Sequence, residues 1–461
     1  MLAHSHMDFK QYQLEGIKWC LLNEMQQTSN VKGGFIADEM GLGKTIMMIS
    51  VIYLNYKSPT LIVVPPVLIV QWYNEIFKMT GHKSSIFHGS KSKLLTLEHI
   101  KRSPIILTTY NTIVQPKCLL KNILWGRIIF DEGHHMRNNK TQCYKACCNL
   151  NGKIKWIVTG TPIQNKLKDF HNMCNILQIS PIIYKNTEHF NRIKHKYVLR
   201  RTKNDVGIKL PNIIYTNKNI MWKNIQEKKI AEEIHSCVSS SGVSYDKCSN
   251  LGFNIMKKCH LYATLVAKQT CILPLLLTKF IQSCKLSDEY LNYTNKSSKM
   301  DALIDVILNR KDNGNGKIVF CHFKHEIDII SERLRQGGVC SIVIYDGRNS
   351  GGDALKNIAN KADVIIIQIQ TGCEGLNLQK YFSEIYFPSP HWNPAVEQQA
   401  IARCHRIGQE NEVNVFRFYM CGFDKKNVDD DDDDCCDPIS LETHVLNIQT
   451  NKQKIIDKLF A

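Results

Sequence analysis

Asp38-Glu39-Met40-Gly41-Leu42-Gly43-Lys44-Thr45 decides how the rest of the chain reads. The apolar run Gly34-Phe35-Ile36-Ala37 before it reads as a buried strand. Thr45-Ile46-Met47-Met48-Ile49-Ser50-Val51-Ile52 after it reads as a helix. Strand, glycine-rich turn and helix are together the context that a phosphate-binding loop requires. The N–H groups of such a turn point inward, and the helix N-terminus adds positive potential. Lys44 is placed to reach the β- and γ-phosphates, and the Thr45 hydroxyl to ligate Mg²⁺. Asp38 stands where the generic Gly-x-x-x-x-Gly-Lys-Thr pattern has its first glycine. On local rules alone, therefore, a glycine-containing turn with a solvated lysine competes with the phosphate loop.

Working outward, apolar runs recur at Leu61-Ile62-Val63-Val64, Ile105-Ile106-Leu107, Arg127-Ile128-Ile129-Phe130 and Ile154 to Val158. Each reads as a parallel strand buried on both faces, and the segments between them carry helical spacing. Phe9 to Leu22 is one such helix, with Tyr12-Gln13 near its start, and Val67 to Phe77 is another. The Gln13 amide offers one donor and one acceptor, which suits an adenine edge. The Arg127–Phe130 strand delivers Asp131-Glu132-Gly133-His134 to its C-terminal end, where ligands bind in open α/β sheets. Asp131 there can hold the Mg²⁺ that Thr45 also ligates, and Glu132 can take a proton from an attacking water. An Asp-Glu pair after a strand is more often a helix cap; Lys44-Thr45 upstream tips the balance toward metal and base. Thr159-Gly160-Thr161-Pro162 follows the fifth strand and suits a turn near phosphates. The first half reads as a doubly wound parallel sheet.

Composition narrows the class. At 461 residues more than one domain is expected, and 43% hydrophobic with 22% charged residues is ordinary for a globular chain. The charge is not ordinary: 59 Lys+Arg against 42 Asp+Glu leave +17, which suggests a polyanionic partner, nucleic acid before membrane. No two of the 18 cysteines have the Cys-x-x-Cys spacing, which gives no support to zinc sites built on that pair. A reducing compartment and free thiols are expected, Cys147-Cys148 and Cys435-Cys436 included. The N-terminus carries no signal-like apolar core, and Leu61 to Val70 is too short and too proline-broken to span a bilayer.

Tyr12-Gln13-Leu14-Glu15-Gly16, Asp38 to Thr45, Asp131-Glu132-Gly133-His134 and Thr159-Gly160-Thr161-Pro162-Ile163-Gln164-Asn165 resemble, in order, the motifs of the Swi/Snf-type ATPases of helicase superfamily 2. Leu199-Arg200-Arg201-Thr202-Lys203 matches that family's bridge between its two lobes. His134-His135-Met136-Arg137-Asn138 is similar to the repair and transcription-release subgroup. Asp38 in the first loop position is normal for the family.

After Leu210-Pro211 the strand–helix alternation lapses into helical segments, Trp222 to Val238 and Lys257 to Gln282. The family places helical protrusions and a linker here. The spacing of Cys237, Cys248, Cys259, Cys271 and Cys284 is wrong for a RING, so no ubiquitin-ligase role is expected. Ser298-Lys299-Met300-Asp301 has a capping-box pattern, and strands resume at Lys317–Phe320, Ser341–Ile344, Asp363–Ile367 and Glu384–Phe387. Cys321-His322-Phe323 and Asp346-Gly347 resemble motifs that touch the DNA backbone. Gln370 to Leu378 matches the motif linking DNA contact to hydrolysis, with Cys373 where glycine is usual. Arg403 and Arg406 stand three apart, so on a helix they share a face. The resemblance makes them the second lobe's contribution to the ATP site. The run Asp429 to Asp434 reads as an acidic surface loop, and Leu441 to Leu459 as a closing helix.

The resemblance thus implies an α/β protein of two RecA-like lobes, parallel sheets flanked by helices, with a helical insertion between them. The expected domains are 1–203, a helical region 204–297, 298–426, an acidic insertion 427–438 and a brace helix 439–461. It implies a DNA-dependent ATPase that translocates on double-stranded DNA without separating strands and uses ATP and Mg²⁺. ATP contacts fall to Gln13, Asp38, Glu39, Met40, Gly41, Leu42, Gly43, Lys44 and Thr45, and catalysis to Lys44, Asp131, Glu132, Arg403 and Arg406. DNA contacts fall to Thr108, Thr109, His322, Phe323 and Thr371, and inter-lobe coupling to Thr159, Gly160, Thr161, Gly375 and Gln399. A monomeric motor is expected, acting on nucleosomes or RNA polymerase complexes in a nucleus or, for a viral copy, in the host nucleus or a cytoplasmic viral factory. A strand-separating DNA or RNA helicase and a catalytically silent DNA-binding scaffold are the alternatives.

Overall fold

The computed structural model describes residues 9–26, 31–89, 95–160, 167–185, 187–239, 260–278, 297–348, 362–372, 376–421 and 441–460. The chain divides into two compact units, the first Met1–Lys209 with Ile455–Ala461 and the second Leu210–Lys454.

The first unit is built on seven strands: β1 (Gly33–Ile36), β2 (Thr60–Val64), β3 (Ser85–Phe87), β4 (Ile105–Thr109), β5 (Trp125–Asp131), β6 (Gly152–Val158) and β7 (Val198–Leu199). They pair in the order β3-β4-β2-β5-β6-β1-β7, every pair parallel. β2 and β4 are buried at every position, as strands covered on both faces must be. Neighbouring residues serve opposite faces. Phe35, Val63, Ile128 and Phe130 pack with Tyr110 and Phe170 on one side. Ile36, Ile62 and Ile129 pack with Ile17, Met48, Trp72 and Ile76 on the other. Those last four belong to α1 (Gln11–Met25), α2 (Lys44–Leu54) and α3 (Ile69–Thr80).

α1 is locked onto the sheet by charge as well as by packing. Arg127 of β5 donates from Nε and Nη2 to the two oxygens of Glu24, 2.6 Å each, and both side chains are fully buried. Trp156 Nε1 and Asn55 Nδ2 donate to the same carboxylate at 2.8 and 2.7 Å. Removing one partner of such a pair leaves an uncompensated buried charge. Glu24→Ala is therefore expected to destabilise the first unit by about 3–5 kcal/mol, read as a lower midpoint in denaturant titration.

The second unit holds β8 (Ile213–Met221), β9 (Gly316–Cys321), β10 (Ile342–Tyr345), β11 (Val364–Gln368), β12 (Phe382–Phe387) and β13 (Val413–Cys421). Their order is β10-β11-β9-β12-β13-β8, again all parallel. Helices cover both faces, around Phe320, Ile367 and Val415 on one and Val319, Ile366 and Phe418 on the other. The helix Leu441–Phe460 is anchored here by the buried pair Lys299–Glu442 and by the Met420 N–H, which donates to Glu442 Oε2 at 2.7 Å. Gln449 Nε2 donates to Glu397 Oε1 at 2.9 Å, and Lys452 Nζ to the Trp392 carbonyl at 2.8 Å.

Several local expectations are corrected. The strand alternation does not lapse after Leu210-Pro211: β8 follows at once and pairs with β13 along nine residues. Its sequence is rich in Asn, Thr and Lys because it is an edge strand with one paired side. The cap of the helix Ser298–Leu308 is Ser297, whose side chain accepts from the Met300 N–H; the Ser298 hydroxyl instead donates to Glu227 at 2.6 Å. The helical readings of Trp222 to Val238 and Lys257 to Gln282 are met in part by the helices Ile225–Ser239 and His260–Ile272; 240–259 and 279–296 lie outside the described residues. Cys373 and the acidic run Asp429 to Asp434 lie outside the described residues.

Candidate active site

β1 enters the loop Asp38–Gly43 at the C-terminal edge of the sheet. Gly41 and Gly43 have φ of 91° and 83°, a left-handed backbone that only glycine takes freely. Gly43 caps α2, and a Cβ there would stand 2.4 Å from Gln13 Nε2. Gln13 is thus seated against the loop. Its Nε2 donates to the Leu42 carbonyl at 3.3 Å, and its Oε1 accepts from the Lys10 N–H at 3.0 Å. Each of these atoms keeps a second N–H or lone pair for a base edge. Lys44 opens α2, and its ammonium donates to the carbonyls of Asp38 at 2.8 Å and Glu39 at 3.3 Å. It lies over the loop's own concave face, where a phosphate would compete for it. Thr45 is the next residue and is half-buried. β6 brings its exit to the same place: Thr159 N–H donates to the Ile36 carbonyl at 3.0 Å, and a Cβ at Gly160 would stand 3.0 Å from Met40 Cγ and 3.6 Å from Lys44 Nζ.

Asp131 ends β5 in register with Val158. Its carboxylate accepts from the Trp72 indole N–H at 2.7 Å on Oδ2 and from the Glu132 N–H at 3.0 Å on Oδ1. Tyr110 Oη donates to its carbonyl at 2.6 Å. Burial, and next the Glu132 carboxylate, push Asp131 up to about 7, while the Lys44 charge pulls it down. A buried, pre-oriented carboxyl of this kind, close to a lysine and a second carboxylate, suits a divalent cation that would hold it ionised, so the residues present fit Mg²⁺. Glu132 has φ 50° and ψ 54°, a costly backbone for a non-glycine residue and one that concentrates at functional sites. His134 Nδ1 lies 3.1 Å from its Oε2.

Nothing in the local sequence marks Trp72, an aromatic on α3, for this contact. The indole fixes which carboxylate oxygen faces inward. Trp72→Phe keeps the packing and deletes the donor. It is expected to lower turnover roughly 10- to 100-fold and to raise the Mg²⁺ concentration needed for half-maximal rate.

Other expected site residues are placed differently. The carboxylates of Asp38 and Glu39 are held in ion pairs. Asp38 pairs with Arg201 at 2.6 Å, and Glu39 pairs with Lys203 at 3.0 Å while accepting its N–H at 2.8 Å. Their carbonyls, not their carboxylates, belong to the loop. Thr108 and Thr109 are fully buried; the Thr108 hydroxyl donates to the Phe87 carbonyl at 2.8 Å, and Thr109 caps the helix Tyr110–Val114. His322 is also interior, its ring nitrogens 3.1 and 3.3 Å from Lys268 Nζ. Burial, then the neighbouring Lys268, hold His322 well below the usual imidazole range, and burial pushes Lys268 down to about 8. As they stand, these three side chains offer nothing to a DNA backbone. Phe323 is partly exposed at the start of the helix Lys324–Gln336.

Arg403 and Arg406 are not on a helix. The helix Pro394–Ile401 stops before them, and they sit in tight turns closed by Arg403 N–H to the Ala400 carbonyl at 3.1 Å and Gln409 N–H to the Arg406 carbonyl at 3.0 Å. Burial, then the Arg403 charge, lower the Arg406 pKa. Arg406 donates to Asn377 Oδ1. Gln399 is buried on the same helix. Thr161 and Gly375 lie outside the described residues, as does the side chain of Thr371.

Residues 12–274 match the SNF2-related domain, and residues 298–408 match the helicase conserved C-terminal domain. The chain belongs to the SNF2-related family of helicase-like ATPases. It is 28% identical to an uncharacterized ATP-dependent helicase of Mycoplasma genitalium, over 98% of this chain and 42% of that protein. It is 28% identical to an ISWI chromatin-remodeling complex ATPase of Saccharomyces cerevisiae, over 89% of this chain and 38% of that one. With a probable global transactivator of Orgyia pseudotsugata multicapsid polyhedrosis virus it shares 26% identity, over 98% of this chain and 91% of the viral protein. The chain thus spans about two fifths of the length of the first curated relatives it matches. None of the described helices is long and apolar enough to cross a membrane.

Proposed function

We propose that this chain is a DNA-dependent ATPase that tracks along double-stranded DNA and remodels protein–DNA complexes. The observation that carries the reading is the convergence at one sheet edge of Gln13, the Gly41–Gly43 loop with Lys44, and the Asp131–Glu132 pair. Together they supply a base contact, a phosphate cradle, a cation ligand and a proton acceptor. The family membership of both units supports it, and so does the surplus of +17 charges, which suits a phosphate backbone.

In this reading Lys44 leaves the loop carbonyls for the β- and γ-phosphates, and Gln13 reads the base. Thr45 and Asp131 would hold Mg²⁺, which would supply positive charge to the phosphates. Glu132, whose Oε2 lies 3.1 Å from His134 Nδ1, orients the attacking water and takes its proton. Arg403 and Arg406 supply positive charge to the transferring phosphoryl group. Duplex DNA stimulates hydrolysis, and each cycle advances the track. Binding through phosphates should tolerate any sequence and weaken steeply with salt.

The test is a displacement assay on naked duplex, nucleosome and stalled transcription complex, with ATP hydrolysis followed in each. ATP-dependent displacement of a duplex-bound protein or third strand, without release of single strands, is the expected result. Unwinding of the duplex would favour a strand-separating helicase. DNA binding with no hydrolysis on any substrate would favour the silent scaffold.

A further inference from the structure

The segment Leu199-Arg200-Arg201-Thr202-Lys203 runs on from β7 alongside β1 and the start of the loop. Ala37 N–H donates to the Leu199 carbonyl at 2.7 Å, and Glu39 N–H to the Arg201 carbonyl at 2.9 Å. From this track the Arg201 side chain turns in between the start of α1 and the loop. Its Nη2 donates to Asp38 Oδ2 at 2.6 Å, and its Nε and backbone N–H to Oδ1 at 3.2 and 3.0 Å. Its Nη1 donates to the Tyr12 carbonyl. The guanidinium lies 5.5 Å from the Tyr12 ring centre, with Met47 Sδ of α2 3.6 Å from Nη2. A Cβ at Gly16 would stand 2.7 Å from Met47 Sδ and 2.8 Å from Nη2, so the glycine makes room for both.

One side chain therefore joins the residue before Gln13, the first residue of the phosphate loop and the helix that Lys44 opens. Asp38 is fully buried, and the planar fork of arginine suits two partners at once, as a lysine ammonium does not. The direct link between Gln13 and the loop is the long 3.3 Å bond to the Leu42 carbonyl. A base contact and a phosphate contact on one nucleotide demand a fixed spacing between the two groups that make them. The Arg201–Asp38 staple is placed to set it.

We propose that Arg201 is a positioning residue for nucleotide selectivity, fixing the register of the base-reading end of α1 against the phosphate loop so that adenine is preferred over guanine. The inference rests on the reading of this site as an ATP site. The test is equilibrium binding of ADP and GDP by calorimetry to the unsubstituted chain, Arg201→Lys and Gly16→Ala, with a thermal melt of each. Gly16→Ala crowds Met47 Sδ and the guanidinium and removes neither, so a misfolded lysine variant does not end the test. The unsubstituted chain is expected to prefer ADP. The folded variants are expected to lose roughly tenfold of that preference, the scale of one hydrogen bond, through weaker ADP binding with GDP little changed. A lower melting temperature with full ADP preference, or equal weakening toward both nucleotides, would reduce Arg201 to a structural staple and overturn the inference alone. An unsubstituted chain that binds neither nucleotide would overturn the ATP reading and the inference with it.

Discussion

Lys44→Ala is expected to lower ATP turnover by roughly 10²–10³-fold, and Glu132→Gln by roughly 10²–10⁴-fold. Both should bind duplex DNA within about twofold of the unsubstituted chain, since neither replacement disturbs a core. The lysine ammonium is held by two carbonyls of the loop it would serve, at 2.8 and 3.3 Å. Those carbonyls are weaker partners than a triphosphate, so the charge is positioned in advance and released by the ligand. Removing it leaves the cradle's N–H groups to bind phosphate and deprives the transition state of a cation. Glu132→Gln retains size and shape and deletes the proposed proton acceptor. It should bind ATP well and stall before hydrolysis. Parallel ATPase and DNA-binding titrations check both; unchanged turnover in the pair would remove the site assignment.

Arg403→Ala and Arg406→Ala should each cost roughly 10³–10⁵-fold in turnover, the scale of arginines supplied to a transferring phosphoryl group. Nucleotide binding to the first unit should be nearly intact. This separation of rate from affinity is the signature of a residue used only as the transition state forms. The turns that carry them make the outcome sharper than a helix would. Gln409 Nε2 donates to the carbonyls of Phe382 at 3.0 Å and Cys404 at 3.3 Å, which pins the turn to the sheet. Loss of an arginine side chain should therefore leave the turn in place. Single-turnover hydrolysis against ADP affinity measures the two effects separately.

Much of this was legible in the sequence for physical reasons. Strands buried on both faces cannot alternate, so β1, β2, β4, β5, β6, β9, β11 and β12 stood out as apolar runs ended by turns. Their C-terminal ends were the chemistry-bearing positions, and Lys44, Asp131 and Gly160 lie there. β7 and β3 were missed because they are two and three residues long, too short for a period to register. β8 was missed because an edge strand can afford Asn217, Lys218 and Asn219. β13 could have been found: Val413-Asn414-Val415-Phe416-Arg417-Phe418-Tyr419 has the alternation and aromatic content of a strand.

At the site, sequence order located the groups but not their partners. Asp38 and Glu39 look like loop residues because they are, yet their carboxylates serve Arg201 and Lys203, more than 160 positions away. Thr108, Thr109 and His322 carry polar atoms at strand ends, where a ligand contact and an internal hydrogen bond look alike until burial is known. The Trp72–Asp131 bond, spanning 59 residues, has no local signal at all.

Whether duplex DNA drives the ATP chemistry of this chain is read from its steady-state ATPase rate beside matched duplex DNA, single-stranded DNA and RNA. The largest stimulation is expected from duplex, independent of its sequence and collapsing as salt is raised. Stimulation that is greatest with RNA, or a rate indifferent to all three, would contradict it.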